Sequence, residues 1–441
     1  MKTLENPGLL PLVILCDTVF SKQEFTTVYK WKQLEFDYPS ALEREQAIQN
    51  GNFDPAKLVP IDVDVYYARH FVDNKMFITI PRNKPATPAS LGTISGKKIN
   101  ENPVITPYPN WDWHLNPESC NKNRIVSVFR VMVDECSRLW VLDTGVLGTR
   151  MVCPPQLLVF DLKSDTLINK YEFPSNQYDL RSMMVTPIVE VLDRTRFCRN
   201  TFVYIADCQA FALIVYDFNA NKSWRIIDKT MFPYPTYGTY TILDDRFELM
   251  DGILGMSLSP ISDGIERKLF YHAASSPTEN WVYTAHLRNE SLFSVDQPKL
   301  FHTLNGQRKT QSFAEAIDSN GILYYGLVED IKIACFNTKS GYYGNDGWAT
   351  DIVADNPVRF QFPSGMKISK NKRQEDELWI LTSRFQKLLT GSLKTDEVNF
   401  RILAVKIDNL IPGTRCQPTN KTNEDDVYNV FIHIYNSNQN V

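Results

Sequence analysis

Short apolar runs, most of four or five residues and bounded by polar turn residues, dominate the chain, and no long stretch carries a helical period. The clearest is Leu139-Trp140-Val141-Leu142. It follows the polar turn Asp134 to Arg138 and ends on Asp143-Thr144-Gly145, as a strand followed by a tight turn would. Five further runs resemble it, beginning at Met76, Val203, Leu269, Leu323 and Leu378. In chain order the six starts are separated by 63, 64, 66, 54 and 55 residues. Five of the six have a clear following strand, as in Leu158-Val159-Phe160-Asp161-Leu162, and several have a preceding one, such as Gly365-Met366-Lys367-Ile368 before Leu378. Three to four short antiparallel strands in each of six units of about sixty residues predict an all-β, six-bladed β-propeller.

The ring must close. A strand-like run over residues 29–36 has no partner near it, and neither has the run 401–407, so the pattern predicts one blade shared by strands from both termini, which would remove two exposed sheet edges. Residues 22–418 then form a single propeller domain. The polar, Asn-rich segment 419–441 is expected to be a poorly ordered tail. The longest irregular stretches, 81–124 and 228–251, are candidate rim or lid segments. Propeller function is expected in such face loops.

Composition narrows the compartment and the partners. With 47 Lys+Arg against 51 Asp+Glu among 441 residues, the formal charge is −4, and no basic run suggests nucleic acid. Lys2 followed by the apolar run 8–16, with Val19-Phe20-Ser21 at a cleavage-like position, predicts a signal peptide over residues 1–21 and hence a secreted, extracellular protein. No later run is long enough to span a bilayer. Seven cysteines remain beyond Cys16, with no Cys-x-x-Cys pair, so disulfides are expected and one thiol is left over; Cys208, inside a strand-like run, is the candidate. Asn221, Asn289 and Asn420 open N-glycosylation sequons.

The six histidines include no pair at metal-ligand spacing, and no nucleotide, phosphate or Gly-x-Ser-x-Gly motif occurs. Neither a metal nor a cofactor is expected.

Several ordered motifs are similar to those of the insect yellow and major royal jelly protein family, over about residues 29–416. They are the run 29–36, Ile80-Pro81-Arg82, Pro109-Asn110-Trp111-Asp112-Trp113-His114, residues 133–145, Cys153-Pro154-Pro155-Gln156 with the strand after it, and Gly413-Thr414-Arg415-Cys416. The tryptophan-rich segment and the Cys-Pro-Pro-Gln motif resemble the yellow branches more than the royal jelly proteins. The resemblance implies a secreted six-bladed propeller with disulfides Cys136 to Cys198, Cys335 to Cys416 and Cys120 to Cys153, leaving Cys208 free. It also implies a role in melanin pigmentation or in cuticle or eggshell tanning, with dopachrome conversion among the family's activities. The alternative is a non-enzymatic extracellular binder of small aromatic amines or of a cuticle or matrix partner. By position, Ser364, Ser383 and Phe385 fall on the amine site of salivary relatives, although those relatives carry asparagine where this chain has Ser383.

Dopachrome conversion requires a base, a cation and a slot for the ring. Asp143, Asp207, Glu315, Glu329 and Asp330 stand at or near the ends of expected strands, and Arg82 and Arg384 are candidate cations. Of these, Asp207, Glu329 and Arg384 are the candidate catalytic set. Asp143 before Thr144-Gly145 reads as a turn residue, His114 as a loop histidine bonded to backbone, and Trp111 and Trp113 as loop-packing rings.

Overall fold

The computed structural model describes residues 24–418 apart from 69, 71–72, 84–85, 121, 195–196, 262–265 and 340–349. The expected signal peptide, the tail and Asn420 lie outside the described residues.

Six sheets of four or five strands, antiparallel but for one edge pair, follow one another among the described residues. Their second strands are Lys75–Thr79, Arg138–Asp143, Thr201–Asp207, Lys268–Ala273, Ile322–Leu327 and Asp376–Thr382, each containing one of the six runs found in the sequence. These strands are nearly continuous in apolar residues because both sheet faces are covered by neighbouring blades. The first strands are Asp62–Tyr66, Val128–Val133, Met184–Val191, Ile253–Leu258, Glu315–Ile317 and Pro363–Lys370. Each packs against the first strands of the blades on either side, and the sixth returns to the first, so together they ring a central channel.

Closure joins distant parts of the chain. Thr26–Trp31 pairs antiparallel with Phe400–Lys406 as the outermost strand of blade 6. The sequence run 29–36 is therefore not one strand. It breaks at Lys32 and Gln33, whose backbone N–H groups both donate to Asn102 Oδ1, and Glu35–Phe36 then lies parallel to Val104 and Ile105 at the edge of blade 1. The irregular stretch expected over 81–124 also contains structure: Leu91–Ile99 and Asn102–Pro107 are the third and fourth strands of blade 1. The other stretch, 228–251, holds a hairpin, Thr239–Ile242 with Asp245–Glu248.

The disulfides are Cys120 to Cys153, Cys136 to Cys198 and Cys335 to Cys416, and Cys208 is a buried free thiol. Such bridges persist in oxidising compartments. No described helix is long and apolar enough to cross a membrane.

One irregularity recurs. In four first strands the pairing with the second strand slips near the start: between Val128 and Val131, Met184 and Thr186, Ile253 and Gly255, and Pro363 and Gly365. A bulge of this kind takes a residue out of the ladder and re-aims its backbone groups. The residues displaced include Arg130, Leu254 and Ser364, and all three meet on the channel axis.

Candidate functional site

The Arg130 guanidinium is buried at the centre of the propeller and is held by four other blades. Nη1 donates to Thr186 Oγ1 at 2.6 Å and to the Leu254 carbonyl at 3.0 Å; Nη2 donates to the carbonyls of Phe313 at 2.7 Å and Ser364 at 2.8 Å. The carbonyls of Leu254 and Ser364 reach it from the bulges. Burial pushes the Arg130 pKa down, opposed by the charges of Asp62 and Glu315. This side chain divides the channel in two.

On one side aromatic rings fill the axis. Tyr240 of the 239–248 hairpin stacks on Phe247 of its partner strand and on Phe313, with centroids 5.0 and 5.3 Å apart; Phe313 stacks on Phe362 at 4.4 Å, and Phe362 meets Phe385 at 5.4 Å. Ser364 and Ser383 are buried beside this group, and neither hydroxyl has a hydrogen-bond partner. The Ser383 backbone N–H donates to the Phe362 carbonyl. Ser364, Ser383 and Phe385 are thus brought together, at the aromatic end.

On the other side lies a cavity of about 590 Å³, reaching from Arg130 to the turns between first and second strands, where Glu135, Arg194 and Gln374 stand. Asp64, Glu315 and Lys367 are among its lining residues, the Glu315 side chain itself being fully buried against His272. Burial raises the Asp64 pKa to about 7 against the opposing charge of Lys367, and its two oxygens accept from the N–H groups of Val65 (2.7 Å) and Val133 (2.8 Å). Lys367 Nζ is paired with Asp62 at 2.9 Å.

Glu315 opens the first strand of blade 5 and meets a buried polar cluster contributed mainly by blade 4. His272 Nδ1 stands 2.9 Å from Glu279 Oε2 and 2.8 Å from Glu315 Oε2, and Arg308 Nη1 donates to Glu279 Oε2 at 2.9 Å. One imidazole hydrogen cannot serve two carboxylates. The hydrogen-bond geometry directs it at Glu279, while Glu315 Oε2 stays in ion-pair contact with the same ring. Burial raises the Glu315 pKa to about 7 and repulsion from Glu279 adds to it, against the opposing pull of His272 and Arg308. For His272, burial and the charge of Arg308 act downward, but Glu279 and Glu315 outweigh them and its pKa stands above the ordinary value. Gly255 makes room for the ring: a Cβ there would lie 2.4 Å from His272 Cε1 and Nε2.

The three residues of the candidate catalytic set lie elsewhere. Asp207, Glu329 and Arg384 stand at or after the far ends of second strands, opposite the mouth of the cavity, and none lines it. Asp207 accepts from the N–H groups of Met183 and Ala210 and from Arg225 at 2.9 Å, tying blade 3 together. Glu329 accepts from the Thr241 N–H at 2.7 Å, and Arg384, at φ 45°, pairs with Glu397 at 2.9 Å. Asp330 lies 3.3 Å from Lys309. Asp143 caps its own turn, as its sequence context suggests, accepting from the N–H groups of Ser127, Val126 and Gly145. Arg82 donates to the carbonyls of Thr87, Pro88, His114, Ile125 and Val126 and so staples a loop. His114 is buried between the Tyr108 carbonyl and the Ser90 N–H; burial first, then Arg82, lowers its pKa to about 3 and keeps it neutral. Trp111 packs on Tyr38 and Trp113 on Phe160. The sequon residues Asn221 and Asn289 are exposed.

Sequence reasoning missed the Arg130 hub and the His272 cluster. A signal was present: a histidine within Leu269-Phe270-Tyr271-His272-Ala273 and an arginine within Val128-Phe129-Arg130-Val131 are polar groups in strands that must be buried on both faces, and such groups need partners.

The architecture is thus a six-bladed propeller with an aromatic plug at one end of its axis and a cavity at the other. Sequence comparison supplies the family. The major royal jelly protein family profile matches residues 126–416, and the chain is 38% identical to major royal jelly protein 9 of Apis mellifera over 94% of each chain. It is 32% identical to a dopaminechrome tautomerase of Drosophila melanogaster, covering 91% of this chain and 86% of the other. It is also 32% identical to protein yellow of Drosophila subobscura, covering 89% and 67%. The chain belongs to the yellow and major royal jelly protein family.

Proposed function

We propose that this is a secreted yellow-type protein of melanin pigmentation or of cuticle and eggshell tanning, and that it tautomerises an aminochrome of the dopachrome class to a dihydroxyindole. The observation that carries the reading is the cavity. It has about 590 Å³, within the range of small-molecule sites, and its wall includes Arg130, Asp64, Arg267 and Lys367. The likeness to a dopaminechrome tautomerase supports the same chemistry. Secretion is supported by the three disulfides and the leader-like N-terminus.

The test is the loss of aminochrome absorbance with and without purified protein, using dopachrome and dopaminechrome separately. Acceleration of either over the spontaneous rate is expected. Equal rates with both would sink the enzymatic reading.

A second reading, a non-enzymatic binder of a small aromatic amine, is favoured by the unpartnered hydroxyls of Ser364 and Ser383 beside Phe362 and Phe385. Titration of the protein's fluorescence with serotonin or dopamine tests it, and an unchanged signal would remove it. Cuticle or matrix components are the further partners this reading admits.

A further inference from the structure

We infer that Arg267 is a carboxylate-binding group at the mouth of the channel cavity, and that the cavity takes a small planar aromatic acid in preference to its uncharged counterpart. The choice among aminochromes drawn below rests on the tautomerase reading above, whereas the binding site does not.

The cations that line the cavity differ in what they already hold. Arg130 is committed to four acceptors in other blades, and Arg194, Lys367 and Lys370 pair with Glu135, with Asp62 at 2.9 Å and with Asp376 at 3.1 Å. Arg267 is the exception among the described residues. Its Nε donates to the Ser259 carbonyl at 2.6 Å, and neither Nη atom has a partner.

The acids of the wall are committed as well. Asp64 accepts from two backbone N–H groups, Asp134 pairs with Arg138 at 2.6 Å, Glu135 with Arg194, and Glu315 is buried against His272. Glu190, whose charge also reaches Arg267, is held by Arg288 at 2.8 Å and by the Tyr204 hydroxyl at 2.7 Å. The uncompensated group of this enclosure is therefore a guanidinium.

A half-buried guanidinium with an open end is unfavourable until an anion meets it. Burial pushes the Arg267 pKa down, against the charges of Glu190 and Glu135. A ligand that brings a negative charge there restores the interactions that burial removed. The two Nη groups present a flat fork, which a carboxylate matches with two parallel hydrogen bonds.

The fork is also held still. Nε is fixed by Ser259, just after the first strand of blade 4, and the Arg267 carbonyl accepts from the Thr284 N–H at 2.9 Å, so side chain and backbone are both anchored within that blade. A group fixed beforehand loses little freedom on binding. In the same cavity Ile188, Met256, Leu258 and Ile317 supply an apolar wall for the flat face of a ring. A cation beside such a wall selects a ring that carries an acid. Among aminochromes this is dopachrome, which keeps its carboxylate, and not dopaminechrome, which would leave the fork unpaired.

The probes are indole-2-carboxylate and its neutral isostere indole-2-carboxamide, titrated calorimetrically into the folded protein at neutral pH. Wild type should bind the acid about tenfold or more tightly than the amide, and Arg267→Gln should bind the two alike. Arg267→Lys keeps the charge without the fork and should keep part of the preference. Equal affinities on the wild type would overturn the inference whether or not the variants fold. So would a folded Arg267→Gln protein that retains the preference, or no binding of either probe. Turnover separates the site from the reading of its chemistry: kcat/KM for dopachrome should exceed that for dopaminechrome by about tenfold or more in wild type, a lead that Arg267→Gln should lose. Wild type at the spontaneous rate with both aminochromes, but with an acid preference that Arg267→Gln abolishes, would remove the tautomerase reading and leave the carboxylate site.

Discussion

The two ends of the channel, one filled by the 239–248 hairpin and the loops before two first strands and the other walled by first strands, solve opposite problems. At the plug, Tyr240, Phe247, Phe313 and Phe362 fill the axis with stacked rings, and the hydroxyls of Ser364 and Ser383 beside them have no partner. At the cavity, acids and cations line the wall and several are held away from their ordinary ionisation. Arg130 belongs to both. The difference teaches that stability and chemistry are divided along the axis: the plug should answer to substitution in denaturation experiments and the cavity in pH profiles.

Arg130→Ala tests the shared element and should have the largest effect. It strands Thr186 Oγ1 and three carbonyls that now accept from the guanidinium, at a cost of about 5 kcal/mol in chemical denaturation. Phe313→Ala, in the plug, should cost about 4 kcal/mol through the cavity it leaves, while turnover per folded molecule stays unchanged. A loss of turnover as large as the loss of stability would break the division.

Asp64→Asn sharpens the comparison from the other side. Asp64 has a folded pKa of about 7, above its unfolded value, so between about pH 4 and 7 the folded state keeps a proton that the unfolded state releases. Wild-type stability therefore declines as pH rises through that window, and the variant should not share the decline. The gap between the two should shift by on the order of 3 kcal/mol in the variant's favour from pH 4 to pH 8. Thermal melts at the two pH values measure it, and a constant gap would show that Asp64 is ionised throughout. The smallest effect belongs to Ser383→Ala. It deletes a hydroxyl that has no partner and should change stability by less than about 0.5 kcal/mol.

The same division decides what could be read before the structure. The second strands were legible because burial on both faces writes continuous apolar runs, and their spacing carried the blade count. The outer strand Leu91–Ile99 was not. Its Gly92, Gly96, Lys97 and Lys98 show neither apolar alternation nor a turn signal, because much of it faces water. The buried polar groups escaped for another reason. Glu315, His272, Glu279 and Arg308 are separated by up to 43 residues, and Arg130 lies far from all of them. Packing of blade 5 on blade 4 brings the four together and the ring adds Arg130, so no local spacing records the site. Asp207, Glu329 and Arg384 stood out because strand ends are visible in sequence, but they stand at the ends away from the cavity.

The strand Thr26–Trp31 has a consequence in time. Its partner, Phe400–Lys406, is the last strand of the propeller to be synthesised, so the earliest strand must wait while nearly the whole ring is made. Assembly of blade 6 is thus the most non-local event in the chain, and pairing across such a separation is slow. Until it occurs, blade 6 presents an open edge to other nascent chains, and an early stop that removes residues 400–406 would leave five otherwise complete sheets that cannot lock.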